Sequence, residues 1–357
     1  MSAGQLRGAL VGAGRVSYFH MKAWEQIPQA SIVALADPDR EAAIQRGEQF
    51  GIPHQHIYAS FEDLLAEEID LDFVDLATSP STHLSLVKLA AQNELHITCQ
   101  KPFAYSLNEA EQMIDVCDQA RVIFNINENW RWRTWYREIK EILDDGVIGR
   151  PHYAKFAIYS DFWVNSDRIM TSKKRGHGIL MEWGIHYIDL MRYLFGEVES
   201  VFGRTHNIID NLSFEQRTLV VNIFKSGLTA YLDLSSVSYS PWAKVGRNGP
   251  MVEDARIEGN QGSIVLFPDP EHGDQLKIAT PTKKVECPAY TGTPLSVYQA
   301  SYTAAQGHFI DCLLSGETPE SHAKDNYETL AITLAAYRSA EIGQLINIDE
   351  FKNKEIG

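Results

Sequence analysis

The sequence predicts an α/β chain in two parts, a doubly wound parallel sheet at the N-terminus followed by an α+β domain with a largely antiparallel, open-faced sheet. Three observations carry this expectation. Short apolar runs alternate with helical stretches through residues 8–125, the pattern of repeated βαβ units. Beyond residue 150, strand-like segments follow one another, with Ser226-Gly227 and residues 259–262 as hairpin turns. The length of 357 residues exceeds what a single core usually supports. The expected domains are residues 1–126 and 127–357.

The first apolar run, 8–11, closes on Gly12-Ala13-Gly14, and residues 18–27 follow as a helix that Pro28 ends. A second run, 32–36, stops at Asp37 and leads into a helix-like stretch at 41–50. Ser60 followed by Glu62 and Asp63 reads as the start of a short capped helix. A strand at 73–77, a helix at 84–91, a strand at 96–99, a helix at 107–120 capped by Ser106 with Glu109, and a strand at 122–125 complete the parallel half. A helix at 136–144 and a turn at 146–149 mark the change of pattern. Strands are then expected at 152–159, 198–205, 218–224, 228–235 and 255–258. One strong helix, 179–195, interrupts them and stops at Gly196, and helices at 302–314 and 326–342 close the chain.

Composition narrows the function classes. With 44% hydrophobic and 22% charged residues the chain is an ordinary globular one, and its net charge of −15 gives no field that would attract a phosphate backbone or an anionic lipid surface. Neither nucleic acid nor membrane is an expected partner. Cys99, Cys117, Cys287 and Cys312 are far apart and form no C-x-x-C pair, which suits reduced thiols in a cytoplasmic protein. The opening MSAGQLRG has no signal-peptide pattern, and no apolar stretch is long enough to span a bilayer.

The first glycine turn reads Gly12-Ala13-Gly14-Arg15-Val16-Ser17, two glycines of a G-x-G-x-x-G fingerprint with Ser17 in the third place. It follows a strand and opens a helix whose first amides can hold a pyrophosphate, and Asp37 ends the next strand. That Asp can accept hydrogen bonds from ribose hydroxyls and repel a 2′-phosphate, so NAD is expected over NADP; Arg40 argues the other way. The ends of the next two strands carry Thr78-Ser79-Pro80-Ser81-Thr82-His83 and Cys99-Gln100-Lys101-Pro102, at the edge where open α/β sheets bind ligands. Lys101 there could steady a substrate oxygen as it gains charge.

In the 179–195 helix, Glu182, His186 and Asp189 stand at i, i+4 and i+7 on one face. His186 can take a hydroxyl proton near neutral pH, and Glu182 can accept a hydrogen bond from a neighbouring hydroxyl. With His177 the same spacing could ligate a metal, but the metal would duplicate the polarising role of Lys101, so none is expected. A buried structural histidine is the bland alternative. Residues 127–136 interleave tryptophans with arginines; the acidic balance favours sugar stacking or domain packing over nucleic acid.

Taken together these motifs resemble the glucose-fructose oxidoreductase, inositol dehydrogenase and rhizopine-catabolism (Gfo/Idh/MocA) family over essentially the whole chain, in particular its D-apiose dehydrogenase branch. That family has Glu-Lys-Pro where this chain has Gln100-Lys101-Pro102, and D-x-x-x-H where it has Glu182 and His186. The resemblance implies a Rossmann NAD-binding domain and a substrate-binding, oligomerising C-terminal domain. The activity it implies is an NAD(P)-dependent sugar dehydrogenase of carbohydrate metabolism, with hydride passing between a sugar or polyol carbinol or lactol and NAD. Lys101, His186 and Glu182 take the catalytic roles. Gly12, Gly14, Arg15, Val16, Asp37, Thr78, Ser79, Pro80, His83, Gln100 and Lys101 hold the cofactor, while Asn129, Arg131, Trp163, Glu182 and His186 hold the substrate. A homodimer or homotetramer is expected. Two rival readings use the same residues: transient oxidation in a glycosidase or epimerase, and a non-catalytic NAD or sugar sensor.

Overall fold

The computed structural model describes residues 5–67, 70–160, 177–210, 212–238, 252–267, 275–286 and 294–356. The chain divides into two compact units, Met1–Trp132 with Val297–Glu328, and Arg133–Ser296 with Thr329–Gly357. The expected domains divide at 126/127; by packing, the first unit runs on to Trp132 and takes back a segment from the far end of the chain.

In the first unit, strands β1 (Leu6–Val11), β2 (Ala30–Ala36), β3 (Ile57–Tyr58), β4 (Phe73–Leu76), β5 (His96–Gln100) and β6 (Phe124–Asn127) form one sheet in the order β3-β2-β1-β4-β5-β6. All five pairings are parallel. The order reverses between β1 and β4, and the crossover helices are α1 (Ser17–Trp24), α2 (Arg40–Gln49), α3 (Phe61–Ala66), α4 (Pro80–Gln92) and α5 (Leu107–Ala120). The sequence cues for their starts are visible as bonds. Ser60 accepts from the Asp63 amide at 3.1 Å and Ser106 from the Glu109 amide at 3.2 Å. Helix α4 begins four residues earlier than expected because Pro80, lacking an N–H, suits a first helical turn.

Helix α8 (Pro294–Ser315) explains the interrupted unit. Its Phe309 and Ile310 are fully buried in the same core as Leu10, Leu35 and Phe73, and the Phe309 and Phe73 rings meet edge-on at 5.9 Å. Its Gln306 donates to Asp75 at 3.1 Å. Asp75, fully buried on β4, also faces His20 at 2.9 Å and accepts from the Trp24 indole at 2.7 Å. A carboxylate so far from water needs such partners, and the C-terminal half of the chain supplies one of them.

The second unit is a nine-stranded sheet. Strands β7 (Pro151–Tyr159), β8 (Val198–His206), β9 (Arg217–Phe224), β10 (Thr229–Ser235), β11 (Val252–Gly259), β12 (Gly262–Phe267), β13 (Gln275–Ala279), β14 (Lys284–Glu286) and β15 (Ile346–Asn347) lie in the order β14-β13-β12-β11-β7-β10-β9-β8-β15. Among the described residues, only β7 with β10 pairs in parallel. Strands β12 to β15 were not foreseen: they are short, and their half-exposed alternation gives little signal against turns. Helices α6 (Thr134–Asp144) and α7 (Ile185–Phe195) cover one face, where Phe156 packs near Tyr136, Tyr187 and Phe195. The opposite face carries the Tyr153 and Tyr231 rings, the Lys155–Asp254 and Arg217–Asp233 ion pairs, and exposed Leu219. Helix α9 (Ala323–Ile342), in which the division between units falls, and α10 (Ile348–Ile356) close the chain. No helix among the described residues is long and apolar enough to cross a membrane.

Candidate active site

The cofactor residues expected from the sequence gather at the C-terminal edge of the parallel sheet. Gly12 has φ +104°, and a Cβ there would lie 2.6 Å from the Ala77 carbonyl oxygen, so only glycine fits between β1 and β4. Beyond it Gly14 is exposed, and a Cβ there would meet nothing within 4 Å, which leaves the mouth of the turn clear for a phosphate. Arg15 is exposed and Val16 leads into α1. Ser17, in the third glycine's place, is fully buried and donates to Gly14 O at 2.6 Å, while Arg46 Nε donates to its hydroxyl at 3.0 Å. Arg46, on α2 beside the Tyr18 and Phe50 rings, was not singled out in the sequence; its isolated position on a polar helix gives no motif.

Asp37 follows β2. Its carboxylate accepts from the Ala13 amide at 2.6 Å and the Asp39 amide at 2.8 Å, which ties the acid to the glycine turn. The chemistry fits a dinucleotide: open amides for phosphate and an anchored carboxylate for ribose hydroxyls. Arg40 is exposed at the start of α2.

At the next strand ends, Thr78 accepts from the Thr82 hydroxyl at 2.9 Å, and Ser79 and Pro80 open α4. His83, expected to hold the cofactor, lies near the start of α4. Its ring is fully buried, with Nδ1 3.0 Å from Phe103 O and Nε2 3.3 Å from Thr78 O. It joins two loops; burial pushes its pKa down to about 4, against the pull of both carbonyls.

Gln100 lies next to Lys101, which is half-buried. Its amide oxygen accepts from the Lys101 backbone amide at 2.7 Å, and its NH2 donates to the Tyr302 hydroxyl at 3.3 Å. The Tyr302 and Tyr298 hydroxyls are 2.9 Å apart. Burial foremost, then Tyr298, pushes the Tyr302 phenol well above its ordinary range, so it stays neutral. An amide therefore stands where the family pattern has a carboxylate, and it uses a donor that an ionised carboxylate lacks. The two tyrosines come from α8, and only their i, i+4 spacing in the sequence hints at a shared face.

Asn129 and Arg131 are buried and engaged within the first unit. Asn129 donates to Ser301 at 2.7 Å, and Arg131 pairs with Asp325 at 3.1 Å and donates to Glu320 O at 3.0 Å. Both were expected to hold substrate, and here both also tie β6 and its following turn to the returning segment of the first unit. The tryptophan run also packs internally, Trp132 against His308 at 4.7 Å and Trp130 near Tyr298 at 6.5 Å.

In the second unit, the expected helix 179–195 is not uniform. It opens with a π-helical turn, Leu180–Gly184, and becomes α7 at Ile185. A π turn takes more residues per revolution, so Glu182 and His186 lie less than one full turn apart rather than stacked in strict α register. Glu182 is partly exposed; His186 is 3% exposed, and Asp189, fully buried, accepts from the Thr329 hydroxyl at 3.4 Å. Trp163 lies outside the described residues.

Comparison with known proteins agrees with this architecture. Residues 6–128 match the model described as "Oxidoreductase family, NAD-binding Rossmann fold", and residues 136–265 match the "GFO/IDH/MocA C-terminal domain". The two halves are thus those of an oxidoreductase acting on CH–OH groups, and the chain belongs to the GFO/IDH/MocA family. It is 34% identical to a D-apiose dehydrogenase of Paraburkholderia graminis, covering 96% of this chain and 90% of the relative. It is 32% identical to a D-apiose dehydrogenase of Rhizobium rhizogenes, covering 98% and 99%. An oxidoreductase from Agrobacterium radiobacter, solved in complex with NAD+, L-tartaric acid and magnesium, superposes with a TM-score of 0.86 at 30% identity, over 97% of this chain and 99% of that one.

Proposed function

We propose that this protein is an NAD-dependent dehydrogenase that oxidises a carbinol or lactol carbon of a sugar, with a branched aldose of the D-apiose type first among candidates. The observation that carries the reading is the shared sheet edge: a glycine turn open at Gly14, Asp37 anchored to that turn, and Lys101 at the end of β5. The D-apiose dehydrogenases similar over nearly the whole chain point to the substrate class.

Bound NAD supplies the hydride acceptor. The protein's own residues do the rest. The Lys101 ammonium holds the substrate oxygen and stabilises the charge it gains as its proton leaves. His186 takes that proton, the task of an imidazole near neutral pH. Glu182, partly exposed, accepts a hydrogen bond from an adjacent hydroxyl and sets which carbon is presented. Gln100, held by Tyr302, fixes the Lys101 backbone without adding a negative charge beside the ammonium. The face of the nine-stranded sheet opposite α6 and α7 pairs with a second copy of the chain, and the buried thiols Cys99, Cys117 and Cys312 suit a reducing cytoplasm.

The test is a panel of aldoses, polyols and branched sugars with NAD, followed at the NADH absorbance. Net NADH formation with at least one sugar, lost about a hundredfold or more in Lys101→Ala and His186→Ala, is the expected result. Sugar conversion without net NADH points instead to transient oxidation, and binding without conversion to a sensor.

A further inference from the structure

The first turn of a helix leaves its amides without helical partners, and the turn that carries Glu182 satisfies its amides from elsewhere in the second unit. The Ile179 amide donates to the main-chain oxygen of Glu215 at 3.2 Å, the Leu180 amide to the Glu215 carboxylate at 3.0 Å, and the Met181 amide to the Tyr337 hydroxyl at 3.1 Å. Tyr337 in turn donates its proton to the same Glu215 oxygen at 2.7 Å. The Glu182 amide closes back on Gly178 O at 3.1 Å.

The approach is too close for any side chain at residue 178. A Cβ on Gly178 would lie 2.1 Å from the Glu215 carbonyl oxygen and 2.4 Å from its second carboxylate oxygen. Glu215 is 6% exposed, and burial raises its pKa, while the Tyr337 hydroxyl and the Leu180 and Gly178 amides oppose that rise. A buried carboxylate is a costly way to end a helix. A serine or aspartate at the first position would cap it locally, yet here the cap comes from the segment before β9 and a tyrosine of α9.

We infer that Glu215, with Tyr337, is a positioning residue for the reaction: it locks the π-helical turn of Glu182 and so sets the direction in which His186 leaves that turn. This rests on the reading of His186 as the proton acceptor. Small displacements matter at such a group, since about 1 Å of misplacement can cost on the order of a hundredfold in rate.

The test uses the full-length protein with Glu215→Gln, and Tyr337→Phe as the milder variant should the first fail to fold. Glutamine keeps an oxygen for the Leu180 amide but turns an NH2 towards Gly178. On the sugar turned over fastest in the panel, kcat is expected to fall about ten- to a hundredfold with KM for NAD unchanged. The Glu215→Gln/His186→Ala double variant should be no slower than His186→Ala alone, because the first residue acts through the second. Unchanged kcat in a folded Glu215→Gln protein, or a double variant whose loss is the product of the two single losses, overturns the inference. If His186→Ala turns over normally, or no sugar is oxidised, it is the proposed function that fails. Positioning is then judged on the His186 ring by NMR: its titration midpoint should move by about half a pH unit or more in Glu215→Gln, and an unmoved midpoint overturns the role.

Discussion

His83 links the cofactor edge of the first unit to the pH dependence of its stability. Its imidazole is fully buried between Phe103 O and Thr78 O, and a neutral ring can donate to only one of them. The pKa is about 4 in the folded protein against 6.5 for a free ring. Between those values the unfolded chain binds more protons than the folded one, so stability rises with pH: the contribution is complete above about 6.5, declines as the pH falls, and levels off near 4. Integrated over that window the ring accounts for about 3 kcal/mol, of which about 2 kcal/mol is lost by pH 5. The perturbation is His83→Gln, which keeps an N–H for the Phe103 carbonyl and does not titrate. Urea unfolding of both proteins at pH 7.5 and pH 5 isolates the ring, because His96 and His177, also lowered by burial, are common to both and cancel. The variant should be the less stable at pH 7.5, with the difference narrowing by about 2 kcal/mol at pH 5. Parallel pH curves would refute the reasoning and mean that the folded protein holds a charged ring between the two carbonyls.

Asp37 should make NAD bind about tenfold or more tightly than NADP, because a 2′-phosphate brings like charge against a carboxylate fixed by the Ala13 amide; Asp37→Ala should close that gap in paired titrations, and tighter NADP binding by the native protein would put Arg40 in control. Glu182→Gln keeps the shape and removes the charge, so it should raise KM for the sugar with kcat little changed if Glu182 grips a hydroxyl; a fall in kcat alone would show that it tunes His186. The open face around Tyr153, Tyr231 and Leu219 should bury itself against a second copy. Light scattering at micromolar concentration reads this directly, and a monomer would refute it.

How much of this was legible in the sequence differs between local and distant relations. The glycine turn, Asp37 and the serine caps at Ser60 and Ser106 are local patterns, and each appears as a bond or a backbone conformation in the place expected. The parallel, doubly wound character of the first sheet followed from the alternation of strands and helices, while its strand order did not. What could not be read are partners separated by long stretches of chain. Gln100 meets Tyr302, Asn129 meets Ser301 and Arg131 meets Asp325, and no periodicity announces such pairs. The partners of Asn129, Arg131 and His83 were hidden for that reason: a polar residue near a strand end looks the same in sequence whether it faces a ligand or a neighbouring loop. The π-helical turn before His186 was equally hidden, since it depends on Glu215 and Tyr337 arriving from other elements.

The return of α8 to the first unit has a consequence for how the chain comes off the ribosome. Residues 1–132 carry all six strands of the parallel sheet, yet without Phe309, Ile310 and Gln306 their core lacks a wall and Asp75 lacks one of its donors. The nascent N-terminal segment must wait, incompletely closed, while residues 133–296 are still being translated. A fragment cut at Trp132 would inherit the same defect. The dinucleotide-binding half cannot therefore be lifted out and transplanted as an independent cassette; a working graft has to carry the helix from the far end along with it.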